Sequence, residues 1–482
     1  MIKSSKMTFA ELCYFIYFLV LFGAKSVGLN EGMLAFNSAI VLGCLLFGFK
    51  VFMTEHTVLE YIVIALLLGM SFVVYSRSGE KGLLLCMTMM LGMKQVSLTR
   101  IEKWGMTILG ICFPVMAAFS ILGLIQEKTF YSVTRAVGGE MLRHSFGYPH
   151  CNVTHTIFII LMSLIFLVKG YGGKRDLIIE CAVLYCMSLY VYLYTFSSTG
   201  LIASTVLILA VLFFHRNEKV ACIDKILILL LYPFGLFAGI VLPMIVSGDL
   251  FWTMDKLLHN RMNYPRYWLT HEPVSLFGVH FGKPPKPNYY IDSSYLYSFL
   301  QIGVIPCILL ATLMMAMIYG LIKRNLRMEL AVVACLLILG LSDPFFYNLS
   351  FKNIMFLFVG EMFYEWLDKM TSKLPPIFSR KIRILNIGAK EIDYKKIYLY
   401  NYWKKCCYVL DNVIFKNGFQ NIVTFLILSG LICVGAYYVM HPEIISGSID
   451  TVDEWEYVRR ALSVGVWGAG ISVVIMSGMK TF

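Results

Sequence analysis

The sequence predicts an all-α fold, a polytopic integral membrane helical bundle, and three observations carry that reading. Hydrophobic residues make up 59% of the chain and charged ones 15%, against roughly 45–50% and about 25% in soluble domains. Apolar runs approaching the roughly 20 residues needed to cross a bilayer core recur along the chain, and fourteen are readable. Basic residues also divide unequally between alternate connections, as they do around membrane spans. With no water to satisfy backbone N–H and C=O groups inside a bilayer, every span is expected to be a helix.

In order, the runs cover about Phe9 to Leu29, Met33 to Met53 and Val58 to Tyr75, then a weaker Gly82 to Leu98 with Lys94 near its end. Trp104 to Ile125, Asn152 to Val168, Leu177 to Thr195, Gly200 to Phe214 and Ile226 to Val246 follow. Ser293 to Ile322, Met328 to Leu341 and Phe351 to Leu367 bring the number to twelve, and Phe419 to Met440 and Ala461 to Met479 complete it. The first run is full length and has no small-residue cleavage site after it, so it is expected to remain as a span.

Placing the N-terminus in the cytoplasm puts 27 Lys and Arg residues inside and 14 outside, which accounts for all 41. That asymmetry favours both termini inside. The net charge of +12 sits mostly beside spans, where anionic lipid headgroups lie, so membrane lipid rather than nucleic acid is the expected partner. Most of the 13 cysteines, including Cys13, Cys44, Cys112, Cys181 and Cys335, fall inside apolar runs, and no Cys-x-x-Cys pair occurs. No metal site or disulfide framework is expected. Neither a Walker motif nor Gly-x-Gly-x-x-Gly appears, which argues against a nucleotide-driven machine.

The chain divides into a twelve-span core over residues 1–367, a basic linker over 368–418 and a two-span appendage over 419–482. The linker contains Pro375-Pro376, and an interfacial helix is expected around Lys395 to Leu410. Core connections are short except for two on the outer side, Gln126 to Cys151 and Ser247 to Asp292. Loops longer than about 12–15 residues are uncommon and often functional.

The first long loop carries Arg135 and ends in Arg143-His144-Ser145-Phe146-Gly147-Tyr148-Pro149-His150-Cys151-Asn152. Gly147 and Pro149 fix a turn that would hold Arg143, His144 and His150 over the sixth span, where Asn152, His155 and Thr156 share a helical face. The second opens with Phe251, Met254, Leu258 and Met262 at helical spacing, an amphipathic interfacial helix that Pro265 should end. It also holds His259, Arg261, Arg266, His271, Leu276-Phe277-Gly278, His280 and, at its close, Ile291-Asp292-Ser293-Ser294-Tyr295-Leu296. Asp292 stands at a helix start, where capping alone would explain a carboxylate. Ser197-Ser198-Thr199-Gly200 and Ser342-Asp343-Pro344 form shorter outer turns.

Arginines gathered with carboxylates on one membrane face suit an anionic lipid-linked substrate, because guanidinium forks pair bidentately with phosphate. A nearby carboxylate or His would take a proton from an incoming hydroxyl. This is the chemical logic of glycosyl transfer from a polyprenyl-pyrophosphate sugar.

At these residues the chain resembles the Wzy-type bacterial polysaccharide polymerases and, more distantly, the O-antigen ligases of the same superfamily. The resemblance covers about residues 1 to 370. It rests on Arg143 through Asn152, His259-Asn260-Arg261, Leu276-Phe277-Gly278, Ile291 to Leu296, and Gly340-Leu341-Ser342-Asp343 with Asn348 and Asn353. It implies a GT-C-like membrane glycosyltransferase with a large extracytoplasmic loop. The implied enzyme is metal-independent, needs no cofactor and inverts the anomeric centre. Its donor and acceptor would be undecaprenyl-pyrophosphate-linked oligosaccharides, joined into capsular polysaccharide, exopolysaccharide or O-antigen at the outer face of the bacterial plasma membrane.

Carried over, Arg143 and Arg261 would grip the pyrophosphate, with Arg135 and Arg266 as helpers. Asp292, or nearby His280 or His271, would act as base. His144, His150, Asn152, His259, Tyr295 and Asp343 would line the substrate and acceptor. Two departures stand out: Pro149-His150-Cys151-Asn152 replaces the family's His-Pro-Asn, and Ser198-Thr199 lacks the arginine of its Ser-Arg. The appendage lies outside the family core, and a chain-length regulator is a candidate partner for it. An O-antigen-ligase-like glycan transferase is the nearest alternative, and a lipid-linked oligosaccharide flippase or transporter is the alternative from another class. It would place ionisable residues deep in spans, whereas charges here gather in outer loops.

Overall fold

Long apolar stretches form helices of membrane-crossing length, even with Pro114 and Pro233 inside two of them, and polar caps set some of their starts. The computed structural model of the chain describes residues 6–134, 139–169, 173–216, 218–282, 289–346, 353–393, 418–440 and 458–470. The first elements are β1 (Lys6–Thr8), α1 (Phe9–Ser26), α2 (Leu34–Met53), β2 (His56–Thr57), α3 (Val58–Ser78), α4 (Gly82–Leu91) and α5 (Leu98–Ile121). Thr8 caps α1 by accepting from the Glu11 amide, and Thr57 and Glu60 close a reciprocal capping box on α3. Each satisfies backbone donors a helix start leaves open.

A hairpin of β3 (Thr129–Thr134) and β4 (Gly139–His144) precedes α6 (Cys151–Val168), α7 (Lys174–Thr195) and α8 (Ser198–His215). Next, α9 (Cys222–Leu236), a π turn at Phe237–Val241 and α10 (Leu242–Ile245) form one continuous span. The second long loop folds into α11 (Gly248–Leu257) and α12 (Asn263–His271). Then come α13 (Ser294–Tyr297) with a π turn at Ser298–Ile302, α14 (Val304–Arg324), α15 (Arg327–Leu339) and α16 (Met355–Thr371). After α17 (Pro376–Ser379), β5 (Lys381–Ile382) and β6 (Glu391–Asp393), the appendage supplies α18 (Gly418–Met440) and α19 (458–470).

Among the described residues, nine helical stretches are long and apolar enough to cross a membrane. The chain is a multi-pass, mostly helical membrane protein in architecture. Helices α4, α6 and α15 are enclosed by their neighbours, whereas α2, α3 and α9 keep Leu45, Leu66, Phe72 and Leu227 exposed. Such rows of bare apolar side chains need a lipid cover.

The turns sort to two ends. At one end Glu11 pairs with Arg100 at 3.0 Å, Lys50 donates to the Lys94 carbonyl at 2.7 Å, and Glu60 takes hydrogen bonds from His56 and Lys94. Two ribbons fasten the segment after α16 to this end: β1 with β6, and β2 with β5. The other end gathers the two long loops, where Tyr148 reaches the Ser26 carbonyl at 2.8 Å and His280 the Ser78 carbonyl at 3.2 Å.

Four expectations change. The first long loop contains strands, because two six-residue segments, Thr129–Thr134 and Gly139–His144, pair antiparallel with each other. Pro265 does not end a helix; it lies in the first turn of α12, where its missing N–H is not needed. The fourth run yields only ten helical residues before the Gly92–Ser97 turn. The tenth run is not continuous: it breaks at Gly303, whose φ is 104°. There the Ser275 and Leu276 carbonyls accept from Val304 and Ile305 at 3.0 and 3.1 Å, so the Leu276-Phe277-Gly278 segment caps the lower helix. A Cβ on Gly278 would stand 2.1 Å from the Gln301 oxygen, so this close approach admits no side chain. The expected interfacial helix around Lys395 to Leu410 falls outside the described residues.

Candidate functional site

The site is a ring of polar contacts around the outer-loop end of α6. Asn152 and Thr156 lie one turn apart on that helix and face the same way. Asn152 Oδ1 accepts from Arg143 Nη2 at 2.7 Å, and Thr156 Oγ1 donates to Asp343 Oδ2 at 2.9 Å. Arg143 Nε donates to the Thr195 carbonyl at 3.0 Å. The same turn, four residues on, offers Thr199 Oγ1 to Arg261 Nη2 at 3.5 Å. One turn between α7 and α8 therefore stands between the two arginines.

The carboxylates close the ring. Burial raises the Asp292 carboxyl above its ordinary value; the Arg261 charge opposes that rise, and the Asp343 charge adds to it. Arg261 and Asp343 are thus each within electrostatic reach of Asp292. Asp343 is held at the mouth of α13 by Ser294, whose Oγ donates to the Asp343 carbonyl at 2.6 Å and whose amide donates to Gly340 O at 2.8 Å. Arg261 Nη1 donates to Leu258 O at 3.2 Å, while its buried Nε has no partner among the described residues. A buried, unsatisfied guanidinium N–H is costly and is suited to receive an anionic ligand.

Local chemistry explains how Arg143 is presented. Gly147, at φ 76°, turns the chain between β4 and α6, and Phe146 is also left-handed at 51°. Glu127 fastens this turn: its carboxylate accepts from His144 Nδ1 at 2.7 Å and from the Phe146 amide at 3.0 Å. Burial would raise the Glu127 carboxyl, but those hydrogen bonds bring it below its ordinary value. His150 caps α6, Nδ1 accepting from the Asn152 amide at 3.1 Å. Burial, with the Arg143 charge, lowers its pKa to about 4. Its neutral form is what an acceptor role needs.

On the far side of the turn, His155 Nε2 meets Ser188 Oγ at 3.0 Å and Ser204 Oγ at 3.3 Å. Gly200 lies so close that a Cβ there would stand 2.2 Å from the imidazole. That approach accounts for the glycine in Ser197-Ser198-Thr199-Gly200.

Other expected residues are elsewhere or otherwise engaged. Arg266 donates Nε to Pro243 O at 2.8 Å and Nη2 to Val246 O, and covers the Phe251 ring, so its donors terminate the α9–α10 span. His259 and Asn260 are both left-handed in the exposed turn after α11, where the Asp255 carboxylate accepts from the Met262 and Asn263 amides. His271 is exposed and stacked on Tyr267 at 4.1 Å. Tyr295 is in the core, its hydroxyl on Leu337 O and its ring against Tyr232 and Phe346. Arg135 falls outside the described residues.

Glu80 and Glu127 carried no signal in the sequence beyond being single acids near span ends. Glu80 accepts from Gln301 Nε2 at 2.6 Å on the last turn before the break at Gly303, and burial raises its carboxyl. His280 is on the Glu80 side, against Ser78, rather than beside Asp292. A cavity of about 330 Å³ lies at the opposite end of the bundle, lined by Thr8, Glu11, Gln95, Ser97, Arg100 and Glu391, and takes no part in this ring. No family model, curated protein or solved structure matches the chain.

Proposed function

We propose that the chain is a membrane glycosyltransferase of the kind its sequence resembles, polymerising undecaprenyl-pyrophosphate-linked oligosaccharide repeat units into capsular polysaccharide, exopolysaccharide or O-antigen. The observation that carries the reading is the pair Arg143 and Arg261 on one turn, with Asp292 close to the second. In this account the protein sits in a bacterial plasma membrane with fourteen spans, both termini cytoplasmic and the arginine ring outside.

The acceptor hydroxyl oxygen attacks the anomeric carbon of the donor sugar. The bond from that carbon to the pyrophosphate oxygen breaks, and the lipid pyrophosphate departs with the electron pair. The hydroxyl proton passes to the Asp292 carboxylate and then to solvent, and the anomeric centre inverts. Arg143 and Arg261 stabilise the charge that grows on the leaving group, a preorganised electrostatic role. Asn152 and the Thr195 carbonyl keep the first guanidinium aimed, which spares reorganisation during the reaction.

The helix break at Gly303 favours a second reading, a lipid-linked oligosaccharide flippase, since transporters bind substrate at interrupted helices. Vesicles containing the purified protein and a fluorescent lipid-linked repeat unit separate the two. Polymerisation yields longer lipid-linked glycans, resolved as a ladder. Translocation yields unchanged units in the opposite leaflet and no ladder, which would remove the polymerase reading.

A further inference from the structure

The appendage is bound to the strand that carries Arg143. Arg459, in the first turn of α19, is 5% exposed. Its Nη2 donates to the Leu142 carbonyl at 2.8 Å, across 317 residues of sequence. The same guanidinium covers the Phe196 ring at 5.3 Å and the Tyr194 ring at 5.8 Å. Four residues on, Ser463 Oγ accepts from Tyr190 Oη at 2.9 Å, one turn earlier on α7 than Tyr194.

These partners are the immediate neighbours of the groups that hold Arg143. Leu142 precedes it on β4, and Phe196 follows Thr195, whose carbonyl receives Arg143 Nε. Arg459 thus bridges the strand that presents the first arginine and the turn that anchors it. A planar guanidinium can donate at its edge and stack on aromatic faces at once, which an ammonium does less well. We infer that Arg459 is a positioning residue for Arg143, and that the two-helix appendage completes the pyrophosphate-binding end of the protein. The ligand named here rests on the function proposed above; the bridge itself does not.

Two measurements on the full-length protein in detergent separate these layers. Hydrogen–deuterium exchange reads the bridge, and calorimetric titration with inorganic pyrophosphate reads its consequence, in wild type, Arg459→Ala, Arg459→Lys, Ser463→Ala and Arg143→Ala. Arg459→Ala should raise amide exchange across 139–146 and weaken pyrophosphate binding about tenfold, the scale of one charge-assisted hydrogen bond. Arg459→Lys should restore only part of both, and Ser463→Ala should leave both near wild type. Unchanged exchange in Arg459→Ala overturns the bridge. Raised exchange with wild-type affinity in Arg459→Ala, while Arg143→Ala loses binding, overturns the positioning role. Raised exchange with affinity indifferent to both arginine variants overturns the proposed function and supports the bridge alone.

Discussion

Arg143 is held by Asn152 at 2.7 Å, through a side chain on the first turn of α6. That bond ties the hairpin to the same helix face whose next turn holds Asp343 through Thr156. Asn152→Ala should therefore leave Arg143 in place on the strand but free to swing. Loss of a hydrogen bond to a charged group costs about 1.5–3 kcal/mol, or roughly 10- to 100-fold in turnover if it is spent in the transition state. Polymer formation by Asn152→Ala should fall by that order, with the apparent affinity for the lipid-linked unit changing less. Turnover equal to wild type would mean that Asn152 does not aim the arginine.

The acid limb of the rate profile should belong to Asp292. A base must be ionised to accept a proton, so activity rises as pH climbs through its pKa, which burial holds above the ordinary 3.8. Arg261 opposes that rise and Asp343 adds to it. Asp343→Asn should therefore move the limb to lower pH. A limb that stays in place in that variant would assign the proton transfer to another group.

His150 gives a stability signal of fixed sign. Its folded pKa, about 4, lies below the ordinary 6.5, so the unfolded state binds more protons between those values and native stability declines as pH falls through that window. Amide exchange at 151–154 should accelerate on acidification over the same range. His150→Asn keeps an acceptor at the cap and should flatten the response; an unaltered response would place its source elsewhere.

The glycine pair at the helix break should be intolerant. A Cβ on Gly303 would stand 2.2 Å from the Gly278 amide nitrogen, and both residues have positive φ, 104° and 83°. Backbone strain alone costs about 1–3 kcal/mol per site, and the collision adds to it. Gly303→Ala should lower the thermal midpoint in detergent clearly, whereas Gly32→Ala, also at positive φ but with no atom near its Cβ, should lower it less. Equal, small effects would contradict the close-packed break.

The two arginine loops, which share one end of the bundle, were legible because spans of about 20 apolar residues leave few places for charge. Arg143, Arg261, Asp292 and Asp343 stood out as charges beside span entrances, and the structure brings them toward one turn. The break at Gly303 was not legible, since Ser293 to Ile322 reads as one apolar run and the contact that ends the helix comes from Ser275 to Gly278. Arg266 and Tyr295 looked like site residues because of type and position. Only the packed structure shows their polar atoms committed to Val246, Pro243 and Leu337. Arg459 lies too far along the chain from Leu142 for any local pattern to connect them.

The most direct measurement pairs each glycosidic bond with its leaving group. Purified protein, given only a lipid-linked repeat unit, without nucleotide or added metal, should form a polymer ladder. It should release one undecaprenyl pyrophosphate per new linkage, and both products should vanish together in Arg143→Ala and in Arg261→Ala. A ladder that persists in both variants, or that forms without release of lipid pyrophosphate, would contradict the assignment of these arginines to the departing group.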